Sequence, residues 1–105
     1  MARVTVNPGV CGLTTTIIAE ADDMYQVAFQ IESQCPNIRA LAKALPTLEA
    51  FAELRQPMNE TMPYVLAGQH LPHVACPVPC AILKALEIAT GMALPADVRL
   101  TISKE

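Results

Sequence analysis

Tyr25-Gln26-Val27-Ala28-Phe29-Gln30-Ile31-Glu32 places large apolar residues at every second position, with small or polar residues between them. A period of two belongs to a β-strand with one face on a core and the other towards water. A sheet built from such strands is antiparallel by habit and carries its helices on the dry face. Upstream, Asp22-Asp23 makes a polar break, and Leu13 to Ala21, rich in β-branched Thr14, Thr15, Thr16, Ile17 and Ile18, predicts a partner strand joined through a hairpin. Arg3 to Val6, with Val4 and Val6 on one face, predicts a short first strand.

Downstream the period changes. Ile38, Leu41, Ala42 and Leu45 follow i, i+3, i+4, i+7 spacing, which predicts a helix over Asn37 to Leu45 that Pro46 stops. Thr47 fits the cap of a second short helix bearing Leu48, Phe51 and Ala52. Thr61 fits the cap of a third, reaching about His70, with Pro63 tolerated in its first turn. Pro77 to Thr90 is the strongest helix, with Ile82, Ala85, Leu86 and Ala89 in a stripe and Gly91 suited to the position after the last turn. Val98, Leu100 and Ile102 alternate with Arg99, Thr101 and Ser103, which predicts a last strand. It lies beyond a helix crossing the sheet, so parallel pairing through a right-handed crossover is expected. The sum is an α+β fold: a two-layer sandwich with a mixed four-stranded sheet, order β-β-β-α-α-α-α-β, and helices on one face. Residues 1–105 form a single domain without repeat, low-complexity segment or linker.

Aromatics make up 4% of the chain and Trp is absent, so the core is expected to be aliphatic. The net charge of -3 is scattered and no Lys/Arg cluster could follow a phosphate backbone, which argues against nucleic acid. No basic-then-apolar leader opens the sequence and no window approaches about 18 uninterrupted apolar residues. A cytoplasmic protein without a membrane partner is expected; a protein partner and the oligomeric state stay open.

Four cysteines in such a chain read as reduced thiols, explained by metal binding, thiol chemistry or burial. Cys76 and Cys35 each precede a Pro that opens a helix, where free backbone N–H groups and the positive end of the helix dipole favour a thiolate. Asn7-Pro8-Gly9-Val10-Cys11-Gly12 is turn chemistry that holds Cys11 on a tight loop. Hairpin connectivity returns the third strand to the end where the second begins, so Cys11 and Cys35 should share one end of the sheet. Should Cys76 join them, with Cys80 or His73 as fourth group, the set has the composition of a zinc site or an iron–sulfur cluster. Each residue also has a plainer reading: free cysteine is a common small core filler, and His70 and His73 suit backbone-bonded loop histidines. Only Glu32, near Cys35, stands out among the carboxylates. No nucleophile elbow, Walker loop, dinucleotide fingerprint or His-Glu-x-x-His occurs, so hydrolase and phosphoryl-transfer chemistry have no sequence support.

Asn7-Pro8-Gly9-Val10-Cys11-Gly12, Ser33-Gln34-Cys35-Pro36-Asn37 and His73-Val74-Ala75-Cys76-Pro77-Val78-Pro79 together resemble a family of small prokaryotic proteins classed as a domain of unknown function. That resemblance spans nearly the full length and directs attention to the three cysteines. Cys76-Pro77-Val78-Pro79 before an apolar helix is also similar, over about a dozen residues, to the Cys-Pro-x-Pro motif of TusA-like sulfur-relay proteins, in which the motif cysteine carries a persulfide. Those proteins place the motif before most of their strands, whereas here it follows three, so this similarity implies a role for Cys76 and no fold.

Three functions follow as expectations. The first is metal or iron–sulfur binding through Cys11, Cys35 and Cys76, completed by Cys80 or His73. The second is a thiol or persulfide carrier, or a redox protein, centred on Cys76. The third is a non-catalytic interaction module with buried cysteines and no cofactor.

Overall fold

The computed structural model describes residues 1–105. In chain order its elements are β1 (Ala2–Val6), β2 (Thr15–Ala21), β3 (Gln26–Ser33), α1 (Pro36–Ala44), β4 (Leu48–Glu49), α2 (Ala50–Leu54), a 3₁₀ turn (Met58–Glu60), α3 (Met62–His70) and α4 (Val78–Ala89). The strands form one sheet in the order β1-β2-β3-β4, and every neighbouring pair is antiparallel.

Register explains the two-faced sheet. Val4 pairs with Ile17 and Ile17 with Ile31, while Ala2, Ala19 and Phe29 form the next row. Because side chains alternate along a strand, these rows fall on one face, and Ile17, Ala19 and Val27 are fully buried there. The opposite face carries exposed Arg3, Thr5, Glu20, Ala28, Gln30 and Glu32. Helices cover the first face only: α4 lies on β1 and β2, α1 lies on β3, and α3 bridges α1 and α4. The α+β architecture with helices against one face of a four-stranded sheet is therefore present as expected.

The β2–β3 hairpin shows how local chemistry sets that register. The Asp22 carboxylate accepts the N–H groups of Met24 and Gln26, both at 2.9 Å, and the Tyr25 N–H donates to the Asp22 carbonyl at 3.1 Å. Tyr25 takes φ 59°, the left-handed residue that closes a three-residue hairpin loop. The strand accordingly starts at Gln26 rather than Tyr25, and the Tyr25 ring turns to meet Phe51 edge-on at 4.9 Å.

Two parts of the expected order are corrected. Leu48 and Glu49, expected in a helix, form β4: Leu48 pairs with Val27 and is buried, while the Glu49 carboxylate accepts the N–H groups of Phe51 at 3.3 Å and Ala52 at 2.6 Å. Glu49, not Thr47, thus caps α2. The last strand over Val98 to Ile102 does not form; Val98, Leu100 and Ile102 are 60%, 76% and 88% exposed. Alternation marks a segment able to lie in a sheet, but a strand also needs a ladder partner, and this segment pairs with no strand of the sheet. The sheet is consequently antiparallel rather than mixed, and its fourth strand comes from the middle of the chain.

The helices follow their apolar spacing. Val78, Ala81, Ile82, Ala85 and Leu86 are the buried stripe of α4, Ile38 and Leu41 that of α1, and Leu66 joins from α3. Gly91, at φ 77°, ends α4 in the left-handed conformation. No helix is long and apolar enough to cross a membrane.

Ile82 is fully buried among these residues. Ile82→Ala is expected to lower the unfolding free energy in urea by about 2–5 kcal/mol through lost apolar contact and the cavity left behind. Gln30→Ala, on the open face, is expected to change it by less than about 0.5 kcal/mol. Equal effects at the two sites would contradict the one-sided core.

Candidate functional site

The end of the sheet at Thr15 and Ser33 carries two of the four cysteines. Gly9 and Gly12, at φ 95° and 67°, shape the β1–β2 loop and place Cys11 on its exposed side. The Gln34 N–H donates to the Thr14 carbonyl at 3.1 Å, and the Gln34 side-chain oxygen accepts the Thr14 N–H at 3.2 Å. The loop of Cys11 and the segment of Cys35 therefore meet at one sheet end, as hairpin connectivity requires. Cys35 is the residue capping α1, yet its side chain makes no capping bond. Its N–H donates to Ser33 Oγ at 3.1 Å, a hydroxyl 2.7 Å from Thr15 Oγ1, and its half-buried side chain packs against the core. The expected thiol facing free helix amides is corrected here: Cys35 fills the edge of the core.

Cys76 has a different setting. Leu71 follows α3, and a turn then closes with the Cys76 N–H donating to the His73 carbonyl at 3.3 Å. Pro77, in helical conformation, is the residue capping α4, so Cys76 lies one position earlier than expected. Proline at positions 77 and 79 suits the first turn, where an N–H has no intrahelical partner to lose. The half-buried Cys76 lines a shallow groove of about 270 Å³ together with Tyr64, Gly68, Leu71, His73 and Pro79. One wall is a face of α3: Tyr64, Ala67, Gly68 and Leu71 follow i, i+3, i+4, i+7 spacing. Gly68 leaves this wall notched, and a methyl added there would meet no atom within 4 Å.

Cys80 lies in the first turn of α4 and is exposed. Burial pushes the Tyr64 phenol above its ordinary 10.0, and the charge of Cys80 raises it further. His70 ends α3 and is not part of the groove lining. A second depression, on the open sheet face around Ile18, Glu20, Ala28 and Gln30, holds no cysteine or histidine.

Of the residues singled out from the sequence, the structure unites Cys76 with His73 in one groove lining, leaves Cys80 exposed in the first turn of α4, and puts Cys11 and Cys35 at the Thr14–Gln34 end of the sheet. Nowhere do three or more His, Cys, Asp or Glu side chains form a group able to hold a metal ion. The expected gathering of Cys11, Cys35 and Cys76 with Cys80 or His73 is therefore not formed. Tyr64, Ala67 and Gly68 are the lining residues not foreseen. Their signal was the helical spacing of Tyr64, Ala67, Gly68 and Leu71, a face with two small residues at its centre.

The chain belongs to DUF6951, a family of unknown function, whose model matches residues 2–102. No curated protein and no solved structure matches it.

The Tyr64 phenol gives a pH dependence with a definite sign. Above pH 10.0 an unfolded tyrosine releases its proton while native Tyr64 retains it, so the unfolded state binds fewer protons and stability falls as pH rises. Urea unfolding between about pH 9 and pH 11 is expected to show a shallower alkaline decline for Tyr64→Phe than for the natural chain. Cys80→Ser is expected to remove a smaller part of it. Parallel declines in all three proteins would contradict the assignment.

Proposed function

We propose that this protein works through the Cys76 thiol, as a carrier that takes a sulfane sulfur from a donor persulfide and passes it on. The observation that carries this reading is the half-buried Cys76 at the edge of a groove that also holds His73 and Tyr64. A carrier thiol needs to be reachable by a partner yet shielded from indiscriminate oxidation, and a partly covered groove meets both needs. The similarity of Cys76-Pro77-Val78-Pro79 to the sulfur-relay motif supports the same residue.

The step is an exchange without net oxidation. The Cys76 thiolate attacks the outer sulfur of the donor persulfide, the donor S–S bond breaks, a new S–S bond forms on Cys76, and the donor cysteine leaves as a thiolate. Imidazole is the side chain best suited to take the thiol proton near neutral pH, and His73 fills that role. Gly68 fits the reading as well. A glycine inside a helix costs roughly 0.5–1 kcal/mol relative to alanine, and no contact within the chain requires one at this position. The notch serves an incoming donor or acceptor loop. The site suits a cytoplasmic protein, where such thiols stay reduced.

Incubation with a cysteine desulfurase and cysteine, followed by peptide mapping in a mass spectrometer, tests this. A one-sulfur adduct on Cys76 is expected, absent in Cys76→Ser, present in Cys11→Ser and Cys35→Ser, and formed about 10²-fold more slowly in His73→Ala. An adduct on Cys11 or Cys80 alone, or none, sinks the carrier reading. Stoichiometric zinc or iron in anaerobically purified protein, lost in Cys11→Ser and Cys35→Ser, would favour the metal or iron–sulfur reading instead.

A further inference from the structure

The segment Val98-Arg99-Leu100-Thr101-Ile102 carries a strand pattern with nothing beside it. No residue from Leu94 onwards makes a backbone hydrogen bond to the rest of the chain, and the three apolar side chains are 60–88% exposed. A five-residue alternating segment left in water forgoes both backbone pairing and burial, the two terms that stabilise strands. The family match nevertheless extends through Ile102.

The same chain holds an element of matching length and need. β1, Ala2–Val6, lies at the outside of the sheet, so one flank of its backbone has no strand neighbour. Edge strands are ordinarily blunted by proline, bulges or several charges, whereas β1 has Arg3 as its one charge and no proline. On its inner face Ala2 and Val6 are buried and Val4 is half-buried. A fifth strand would extend that face with Val98, Leu100 and Ile102.

The exit from α4 decides whose β1 the tail meets. Gly91 turns the chain at φ 77°, Met92 packs against the core, and the N–H groups of Met92 and Ala93 donate to the Glu87 carbonyl at 2.9 and 3.2 Å. The chain is thus held to α4 as far as Ala93. The free link is Leu94-Pro95-Ala96-Asp97, stiffened by a proline. From Leu94 onwards every residue is exposed and none bonds to β1, so the tail lies off its own edge, in solvent. The helix that the tail leaves, α4, lies over β1 and β2.

We propose that two copies of this chain exchange tails, Val98–Ile102 of each adding as a fifth strand to β1 of the other. Donor strand and acceptor edge belong to one chain, so the exchange is self-complementary and closes at two copies. Sedimentation equilibrium of the full chain, paired with amide hydrogen exchange, tests it against Leu100→Asp. That substitution lies in the exposed tail, and far-UV circular dichroism checks that the fold is kept. The natural chain is expected to be a dimer with slowed exchange at Val98 to Ile102 and in β1, and Leu100→Asp a monomer in which the tail loses its protection. A monomer at every concentration up to the solubility limit overturns the proposal. So does a dimer that survives Leu100→Asp, or a monomer whose tail is protected, the sign of pairing with its own edge.

Discussion

The contact on which the rest depends is α4 lying across β1 and β2. Ile82 and Leu86 are fully buried there with Ile17 and Ala19, and a core of Ile, Leu, Val and Ala residues grows outward from that layer. Four short strands and four short helices would not hold separately, since a short helix is marginal in water and a sheet needs its apolar face covered. Once α4 is seated, α3 is drawn against it and against α1, which covers β3. The α3–α4 connection, Leu71 to Pro77, is then held over a groove rather than a flat surface. The place of Cys76 is a consequence of core packing, and no hydrogen bond to its sulfur is required to set it.

Much of the fold was legible because its signals were local. The period-two pattern over Val27, Phe29 and Ile31, the helical stripe of α4 and Gly91 at its end all gave the element that forms. The illegible parts depend on partners distant in sequence. Leu48 and Glu49 look like helix material, but Leu48 meets Val27 in a ladder and Glu49 turns its carboxylate to the first free amides of α2. Val98 to Ile102 shows the converse: alternation describes what a segment can do in a sheet, not whether an edge lies within its reach.

The site was legible by residue and less so by arrangement. Hairpin connectivity correctly joined the Cys11 loop to the Cys35 segment, because antiparallel neighbours must return to the same end. It could not say where α4 starts relative to that end, which is a matter of how a helix lies on a sheet. A Cys-Pro step likewise has two outcomes. Cys35 becomes the cap residue yet packs its sulfur against the core, whereas Pro77 takes the capping position and leaves Cys76 in the preceding turn. Tyr64 and Gly68 became meaningful only when α3 was seen to wall the groove.

Cys76 shares one groove with Tyr64, Ala67, Gly68 and Leu71, and neither Thr14 nor Gln34 lines it. The most direct measurement is a comparison of amide ¹H–¹⁵N spectra before and after methylthiolation of Cys76, in a chain with the other three cysteines replaced by serine. Shifts are expected at Tyr64, Ala67, Gly68, Leu71 and His73, with Thr14 and Gln34 unmoved. Shifts confined to the immediate sequence neighbours of Cys76, or reaching Thr14 and Gln34 instead of α3, would contradict it.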